Sequence, residues 1–560
     1  MPTNSPDTGN RFFLAFWRLA ERVRTLSPLA LSVLVALLLT LSYPPFPFPL
    51  LQVPAFFGLM RLASRPISMR SFLGYSYLAL VLWNLGTTYW LMMAHVGAGV
   101  AAILANAAVM LLPMLVVRMF VQANRDDGLP VFWAAVGIAS AWAGYEFLHH
   151  RWDLAWPWLS LGNAWSQWIP LVQYLSVTGI FGVTFWVVLS ASLLFFGTRA
   201  GSWEVGTRGV GTRGAGSLDA GSSPKHEPSS DMANPSTRNK KQTGPRRTIF
   251  VVAMLVLILP PGVSAVYYDI AFEKDVHSLA PQAVPSTLLE VVIVQPNSDS
   301  YEPLGGHESL AHLTDHLLAL TNRARTDSTD LILWPENALD TTLSLQNGVV
   351  RRISDSTRVW NSSLVTGTGY VKAYRTEDGA PLLNRKSEGG IAYNIYNAAL
   401  FFGPDGDIST YLKGRLVPFV ERFPFADVLF RLDRFGWVPW ERFYGYGLGT
   451  DAAAFTLPSG ESFPALICYD SVFPEWVNGF EGGVPGRDSG RDSEQDSGHD
   501  SGQDSEHSTE QNAARQHVGF LAIITNDGWW GNSAGHIQHF EYARLRAVEH
   551  RQWVVRSANN

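Results

Sequence analysis

Apolar runs recur through the first half of the chain, at about residues 29–43, 45–62, 71–94, 97–122, 129–148, 171–197 and 248–268. A membrane-crossing helix needs about 20 apolar residues, and most of these runs reach that length. Backbone polar groups in lipid are satisfied only within helices or closed barrels, so the pattern points to a polytopic α-helical membrane domain. The first two runs are short and meet at Tyr43-Pro44-Pro45-Phe46-Pro47, which leaves a helical hairpin as the alternative for that pair. A cleavable signal peptide fits poorly, because the runs keep recurring and no small-residue cleavage site follows the first. Charged residues are 16% of the chain, against ~25% in an average soluble protein. The 20 tryptophans suit a protein with membrane–water interfaces. A net charge of −6 argues against a large basic face for nucleic acid.

Lys and Arg in the short loops set the orientation. Arg11, Arg18, Arg22 and Arg24 precede the first run, Arg61, Arg65 and Arg70 follow the second, Arg118 and Arg125 the fourth, and Arg199 through Arg247 the sixth. The alternate loops carry little positive charge, Arg151 excepted. About seven crossings that start inside place everything after residue 270 outside, which in a bacterium is the periplasm. The expected organisation is a cytoplasmic segment at 1–27, a transmembrane domain at 28–270, a linker at 271–287 and a periplasmic domain at 288–560. The Gly/Ser/Thr/Arg-rich tract 198–247 reads as a disordered cytoplasmic loop. The Asp-Ser repeats of 482–515 read as a solvated acidic insertion that lacks the spacing and bidentate Glu of a calcium loop.

From residue 288 the pattern becomes short β-rich runs: Leu289–Val294, Leu331–Trp334, Leu364–Thr368, Ala398–Phe402, Ala465–Cys468, Phe520–Thr525 and Trp553–Arg556. Amphipathic stretches such as His307–Arg325 lie between them. Strands alternating with helices predict an α/β domain. The chain stops after the last of these strands, and a truncated C-terminus is expected.

Three residues in this half can carry chemistry. Cys468 closes an apolar strand, where a nucleophile is exposed to substrate, and a helix starting there would lower the thiol pKa. A lone cysteine is otherwise usually a small buried hydrophobe. It is the chain's one cysteine, which excludes an intrachain disulfide, a CxxC pair and a multi-Cys zinc site. Glu336 follows a buried strand and Pro335, and partial burial would raise its pKa toward that of a general base; an N-cap or an ion-paired loop residue is the plainer alternative. Lys413 ends another strand, where a fixed ammonium can stabilise an oxyanion, although most lysines are simply exposed.

Each of these is weak alone. In the order Glu, Lys, Cys, each near a strand end, they resemble the nitrilase (carbon–nitrogen hydrolase) superfamily. WPENA at 334–338, LKGRLVPFVERFPF at 412–425, ICYD at 467–470 and the stretch 525–560 resemble the apolipoprotein N-acyltransferases, as do WPWLSLGN at 156–163 and TGIFGVTF at 178–185. The resemblance covers most of the chain outside the two low-complexity tracts. It implies a membrane domain joined to a nitrilase-like α-β-β-α sandwich, in a multi-pass protein of the bacterial inner membrane.

The resemblance further implies acyl transfer without a cofactor. The Cys468 thiolate would take the sn-1 acyl chain of a phospholipid as a thioester. The α-amino group of a diacylglyceryl-cysteine on an apolipoprotein would then take the chain from sulfur. Glu336 would be the general base and Lys413 the oxyanion stabiliser. Glu421 would orient Lys413 or the amine, with Tyr469 and Asp470 supporting; Asp470 stands where many relatives carry Glu. Tyr301, Trp529 and Trp530 are candidate substrate contacts. Phe423, Phe425, Phe435, Trp437 and Trp440 read either as packing or as a lid at the membrane surface. His536 and His539 have a metal-like spacing but no third ligand, so no metal is expected. His149 and His150, beside Glu146 and Arg151, read as packing at a membrane edge. The expected partners are phospholipid, apolipoprotein and membrane, with no nucleic acid and no pattern demanding oligomerisation. The competing readings are a membrane-tethered amidase or nitrilase whose thioester is released by water, and a transporter or inactive truncated homologue.

Overall fold

The computed structural model describes residues 17–18, 20–199, 235–278, 288–374, 379–481 and 518–560. The expected low-complexity tracts fall for the greater part, at 200–234 and 482–517, outside the described residues. The chain divides into two compact units: one comprises residues 1–152 and 156–277, the other 278–560 together with Asp153–Ala155.

The first unit is helical. Its main helices are α1 (Pro28–Thr40), α2 (Gln52–Ala63), α3 (Met69–Thr88), α4 (Val96–Val109), α5 (Leu111–Asp126), α6 (Val131–His149), α7 (Leu175–Arg199) and α8 (Pro235–Ser278). Among the described residues four stretches are long and apolar enough to cross a membrane: Val96–Asp126, Val131–His149, Leu175–Arg199 and Thr248–Ala271. The first of these joins α4 and α5 across Met110. The helices α1 and α2 are shorter than a membrane crossing, as the proline-rich turn between them implied. Helix α8 begins at Pro235 and runs to Ser278, so it extends into both the expected cytoplasmic tract and the expected linker.

Between α6 and α7 the chain forms 3-10 turns over Pro157–Leu159 and Leu161–Leu171, held by buried side chains. The Tyr43 hydroxyl donates to the Leu159 carbonyl (2.7 Å), Gln52 Nε2 to the Leu161 carbonyl (3.0 Å), and the Leu161 N–H to Glu146 Oε1 (3.0 Å). Gly162 lies so close to α7 that a Cβ there would meet the Ile180 carbonyl oxygen at 2.6 Å. This explains why the motifs at 156–163 and 178–185 both need small residues.

The second unit is a layered α/β structure. A seven-stranded sheet contains β1 (Glu290–Ile293), β2 (Thr329–Leu333), β3 (Leu339–Leu343), β4 (Ser363–Tyr374), β5 (Arg385–Lys386), β6 (Ala392–Phe402) and β7 (Ile408–Leu412). Strands β1, β2 and β4 pair in parallel, whereas β4–β6 and β6–β7 are antiparallel. A short ribbon, β8 (Phe455–Thr456) and β9 (Ser462–Phe463), precedes a parallel three-stranded sheet, β10 (Ala465–Ile467), β11 (Phe520–Thr525) and β12 (Trp553–Ala558).

Alternation along the strands builds the layers. Leu331, Leu333, Val365, Ala399 and Phe401 face a core shared with Ala465–Ile467 and Phe520–Ile524. Ile332, Trp334, Leu364, Leu400 and Phe402 point the other way, onto Leu313 and Leu317 of α9 (Leu310–Ala324) and Val350 and Ile353 of α10 (Gly348–Trp360). Strands buried on both faces read as unbroken apolar runs, which is why they were visible in sequence. The shared core between the two sheets is the inner layer of a nitrilase-like sandwich. The helices α11 (Pro474–Glu481) and α12 (Ala534–His550) accompany the second sheet. Helix α12 starts at the Ser533 cap, whose hydroxyl accepts from Gly535 N–H, and ends at Arg551 in the left-handed region (φ 51°).

Candidate active site

The candidate residues gather where strands of both sheets end. Beyond β2, Trp334 and Pro335 carry the chain to Glu336, which is 4% exposed. Gly367 makes this possible: a Cβ there would meet Glu336 Cα at 2.5 Å and the Asn337 nitrogen at 2.8 Å. Lys413 follows β7 directly and is 1% exposed. Its Nζ donates to Glu336 Oε1 at 3.0 Å and to Glu421 Oε1 at 2.8 Å. Asn397 of β6 joins the same two carboxylates, its Nδ2 donating to Glu336 at 2.8 Å and to Glu421 at 3.1 Å. Glu421 Oε2 also accepts from the Val417 N–H at 2.8 Å, and Glu336 Oε2 from the Asn526 N–H at 3.1 Å. Burial by itself works against the Lys413 ammonium, but Glu336 and Glu421 outweigh it and hold the amine well above its ordinary pKa. The amine therefore stays charged.

Cys468 leaves β10 and opens a 3-10 turn over Cys468–Val472. Its φ is +45°, a conformation that a residue with a side chain adopts only when the surroundings hold it. Two bonds on its carbonyl do so: the Ser471 hydroxyl donates at 2.7 Å, and His539 Nε2 lies at 3.3 Å. Burial, then the charge of Glu336, push the thiol well above its ordinary pKa, with Lys413 pulling the other way. The sequence expectation of a thiol acidified by a helix N-terminus is thereby corrected. The turn is five residues long and its field is outweighed by desolvation.

Asp470 is fully buried. Its Oδ1 accepts from the Arg415 N–H (2.7 Å), and its Oδ2 from the Tyr411 hydroxyl (2.8 Å) and the Ile467 N–H (3.2 Å). These bonds tie the Cys468 turn to the two sides of Lys413. Burial raises the Asp470 carboxyl to about 7, against the opposing effect of Lys413 and the three hydrogen bonds. Tyr469 is buried, with its ring edge-on to Phe473 at 4.9 Å.

Trp529 and Trp530 are half-buried. The Tyr301 side chain is exposed, its hydroxyl donating to the Trp529 carbonyl at 2.6 Å and its ring 5.5 Å from the Trp529 ring. The aromatic segment after the lysine divides. Trp440 is buried with Leu383, Ala426 and Tyr444, whereas Phe435 and Trp437 stack on each other at 5.1 Å and are 77% and 80% exposed.

Asn397, Asn526 and the set Asp527, His539 and Arg556 were missed in sequence as parts of one site. Asn397 sits on an apolar strand with nothing local to mark it. His539 was weighed only as a metal ligand. Its Nδ1 instead lies 3.0 Å from Asp527 Oδ1, and Asp527 is ion-paired to Arg556.

Apolar membrane-crossing helices followed by a two-sheet sandwich carrying Glu, Lys and Cys at its strand ends define a membrane protein of the nitrilase class. Residues 35–193 match the family model for the apolipoprotein N-acyltransferase N-terminal domain, and residues 291–478 that for carbon–nitrogen hydrolases. An apolipoprotein N-acyltransferase of Chlorobaculum tepidum is 25% identical, over 95% of this chain and 85% of that one. One of Pseudomonas syringae pv. tomato is 24% identical over 93% and 83%. A solved CN-hydrolase superfamily protein of Xanthomonas campestris, 17% identical, covers 48% of this chain and 75% of its own, with a TM-score of 0.30. The chain belongs to the apolipoprotein N-acyltransferase family, a family of acyltransferases.

Proposed function

We propose that this protein moves the sn-1 acyl chain of a phospholipid, by way of a thioester on Cys468, to the α-amino group of the diacylglyceryl-cysteine of an apolipoprotein. The observation that carries the reading is the buried Lys413 held between Glu336 and Glu421, with its charge and that of Glu336 acting on the single sulfur of the chain. Residues 28–270 are read as the membrane domain and 288–560 as the catalytic domain. The protein works as a monomer in the bacterial inner membrane with its catalytic domain on the periplasmic side, in keeping with the charge of the loops.

The raised thiol pKa means the sulfur starts as a neutral SH, so the reaction needs a base. Glu336 takes that proton as Sγ bonds to the ester carbonyl carbon. Lys413, fixed as an ammonium, faces the oxyanion rather than acting as a base. Collapse of the tetrahedral species breaks the bond to the sn-1 oxygen. That oxygen leaves with the proton from Glu336 as lysophospholipid. In the second half the acceptor amine gives a proton to Glu336 and bonds to the thioester carbon. The C–S bond breaks, and sulfur recovers the proton. A thioester preserves acyl-transfer potential between two bulky lipids that cannot meet directly.

Intact-mass measurement of protein extracted from membranes tests the reading. One fatty-acyl adduct should appear, discharged by a lipopeptide amine and not by water. Cys468→Ala should lose the adduct completely while inserting normally. An adduct that persists in this variant refutes the nucleophile, and rapid discharge by water favours the amidase.

A further inference from the structure

The 3-10 turn that presents Cys468 is held from behind by a buried relay that ends on the same segment as the base. His539 is 1% exposed, on α12. Its Nε2 lies 3.3 Å from the Cys468 carbonyl oxygen and 3.2 Å from Ser471 Oγ. A carbonyl oxygen only accepts, so the contact to Cys468 is an Nε2–H donating. On the opposite side of the ring, Nδ1 lies 3.0 Å from Asp527 Oδ1. Asp527 is fixed in turn: its Oδ1 accepts from the Thr525 hydroxyl at 2.9 Å and its Oδ2 pairs with Arg556. Burial works against the Asp527 charge, but His539 and Arg556 hold its carboxyl far below the usual range. The residue just before Asp527 is Asn526, whose N–H donates to Glu336 Oε2.

We propose that His539 is a positioning residue for the nucleophile: it grips the Cys468 carbonyl, keeps the left-handed turn in place, and registers the sulfur against Glu336 through the rigid segment 525–527. The proposal rests on Cys468 being the nucleophile. His539 touches neither substrate nor sulfur in this role. Its effect is on where the thiol points, and a misplacement of about 1 Å at a reacting atom is worth roughly 100-fold in rate.

Two buried replacements of similar size separate this role from simple packing. His539→Gln keeps an N–H that can reach the carbonyl; His539→Met keeps bulk and loses the donor. Each full-length variant is extracted in detergent and compared for thermal unfolding, donor KM and the rate of Cys468 acylation by intact mass. The expected result is unfolding temperatures that match each other, unchanged donor KM, acylation about 100-fold slower in the Met variant, and most of that rate restored in the Gln variant. Equal acylation rates in the two variants overturn the proposal, as does a wild-type rate in the Met variant. Loss of the folded protein in both also overturns it, because His539 is then a folding residue. An absence of acyl-enzyme in the unmodified protein is a different outcome and strikes the proposed function itself.

Discussion

Two carboxylates are buried to the same degree, one in each unit, and their neighbours set them apart. Glu146, in α6, accepts from Trp142 Nε1 (3.1 Å), the Leu161 N–H (3.0 Å) and the Thr184 hydroxyl (2.6 Å). Every donor is neutral, and the effect is to tie a loop to two helices. Glu336 accepts from Asn397, the Asn526 N–H and Lys413, and it shares that lysine with a second carboxylate beside the one sulfur. Burial alone therefore does not mark a reactive acid. What marks it is a fixed cation and a nucleophile within reach of the same oxygen atoms.

Replacing each acid by its amide sharpens this contrast. Glu336→Gln should slow acylation of Cys468 by about 10²–10⁴-fold, the usual weight of a general base, in a protein that still inserts. Glu146→Gln should leave the acylation rate near wild type and cost about 1 kcal/mol of stability, the weight of one altered buried hydrogen bond. Intact-mass kinetics and thermal unfolding in detergent read both. Comparable kinetic losses in the two variants would erase the distinction drawn here.

A smaller effect is expected from Asp470. Its carboxyl titrates near 3.8 when free and about 7 in the folded protein. Below pH 3.8 both states are protonated and its contribution is fully present. That contribution is lost as pH rises through about 7, on the order of 4 kcal/mol in all. Asp527 is depressed instead and acts in the opposite sense, losing its contribution as pH falls. The Asp470 slope is therefore isolated by difference. Unfolding of Asp470→Asn should lack the decline between pH 4 and 7 that the parent shows, whatever its constant offset. Parallel pH profiles would show that the carboxyl does not titrate there.

The smallest effect is predicted for deletion of residues 484–513, which should leave the rate of lipopeptide acylation largely unchanged. Complete loss in a well-folded protein would show that the acidic tract takes part.

Much of this was legible along the chain for simple physical reasons. Apolar runs mark helices that must satisfy their own backbone in lipid. Unbroken Val/Ile/Leu runs mark strands covered on both faces, as Leu331–Leu333 and Ala465–Ile467 are. Glu336, Lys413 and Cys468 announced themselves because each stands at the end of such a run. The short strands β5, β8 and β9 left no such trace. Neither did Asn397, whose role exists only because β6 pairs with β7 and brings it beside Lys413.

The order of chemical groups along the chain, and the amount of hydrocarbon around them, were decided by the sequence alone. The tertiary structure decided the state of those groups. It made the thiol harder to ionise rather than easier, fixed the lysine as a cation, and turned a histidine with metal-like spacing into a strut for the Cys468 turn. Desolvation and partner charge depend on what lies across space, and residues 77 and 71 apart in sequence meet here in single hydrogen bonds. No local pattern encodes that distance.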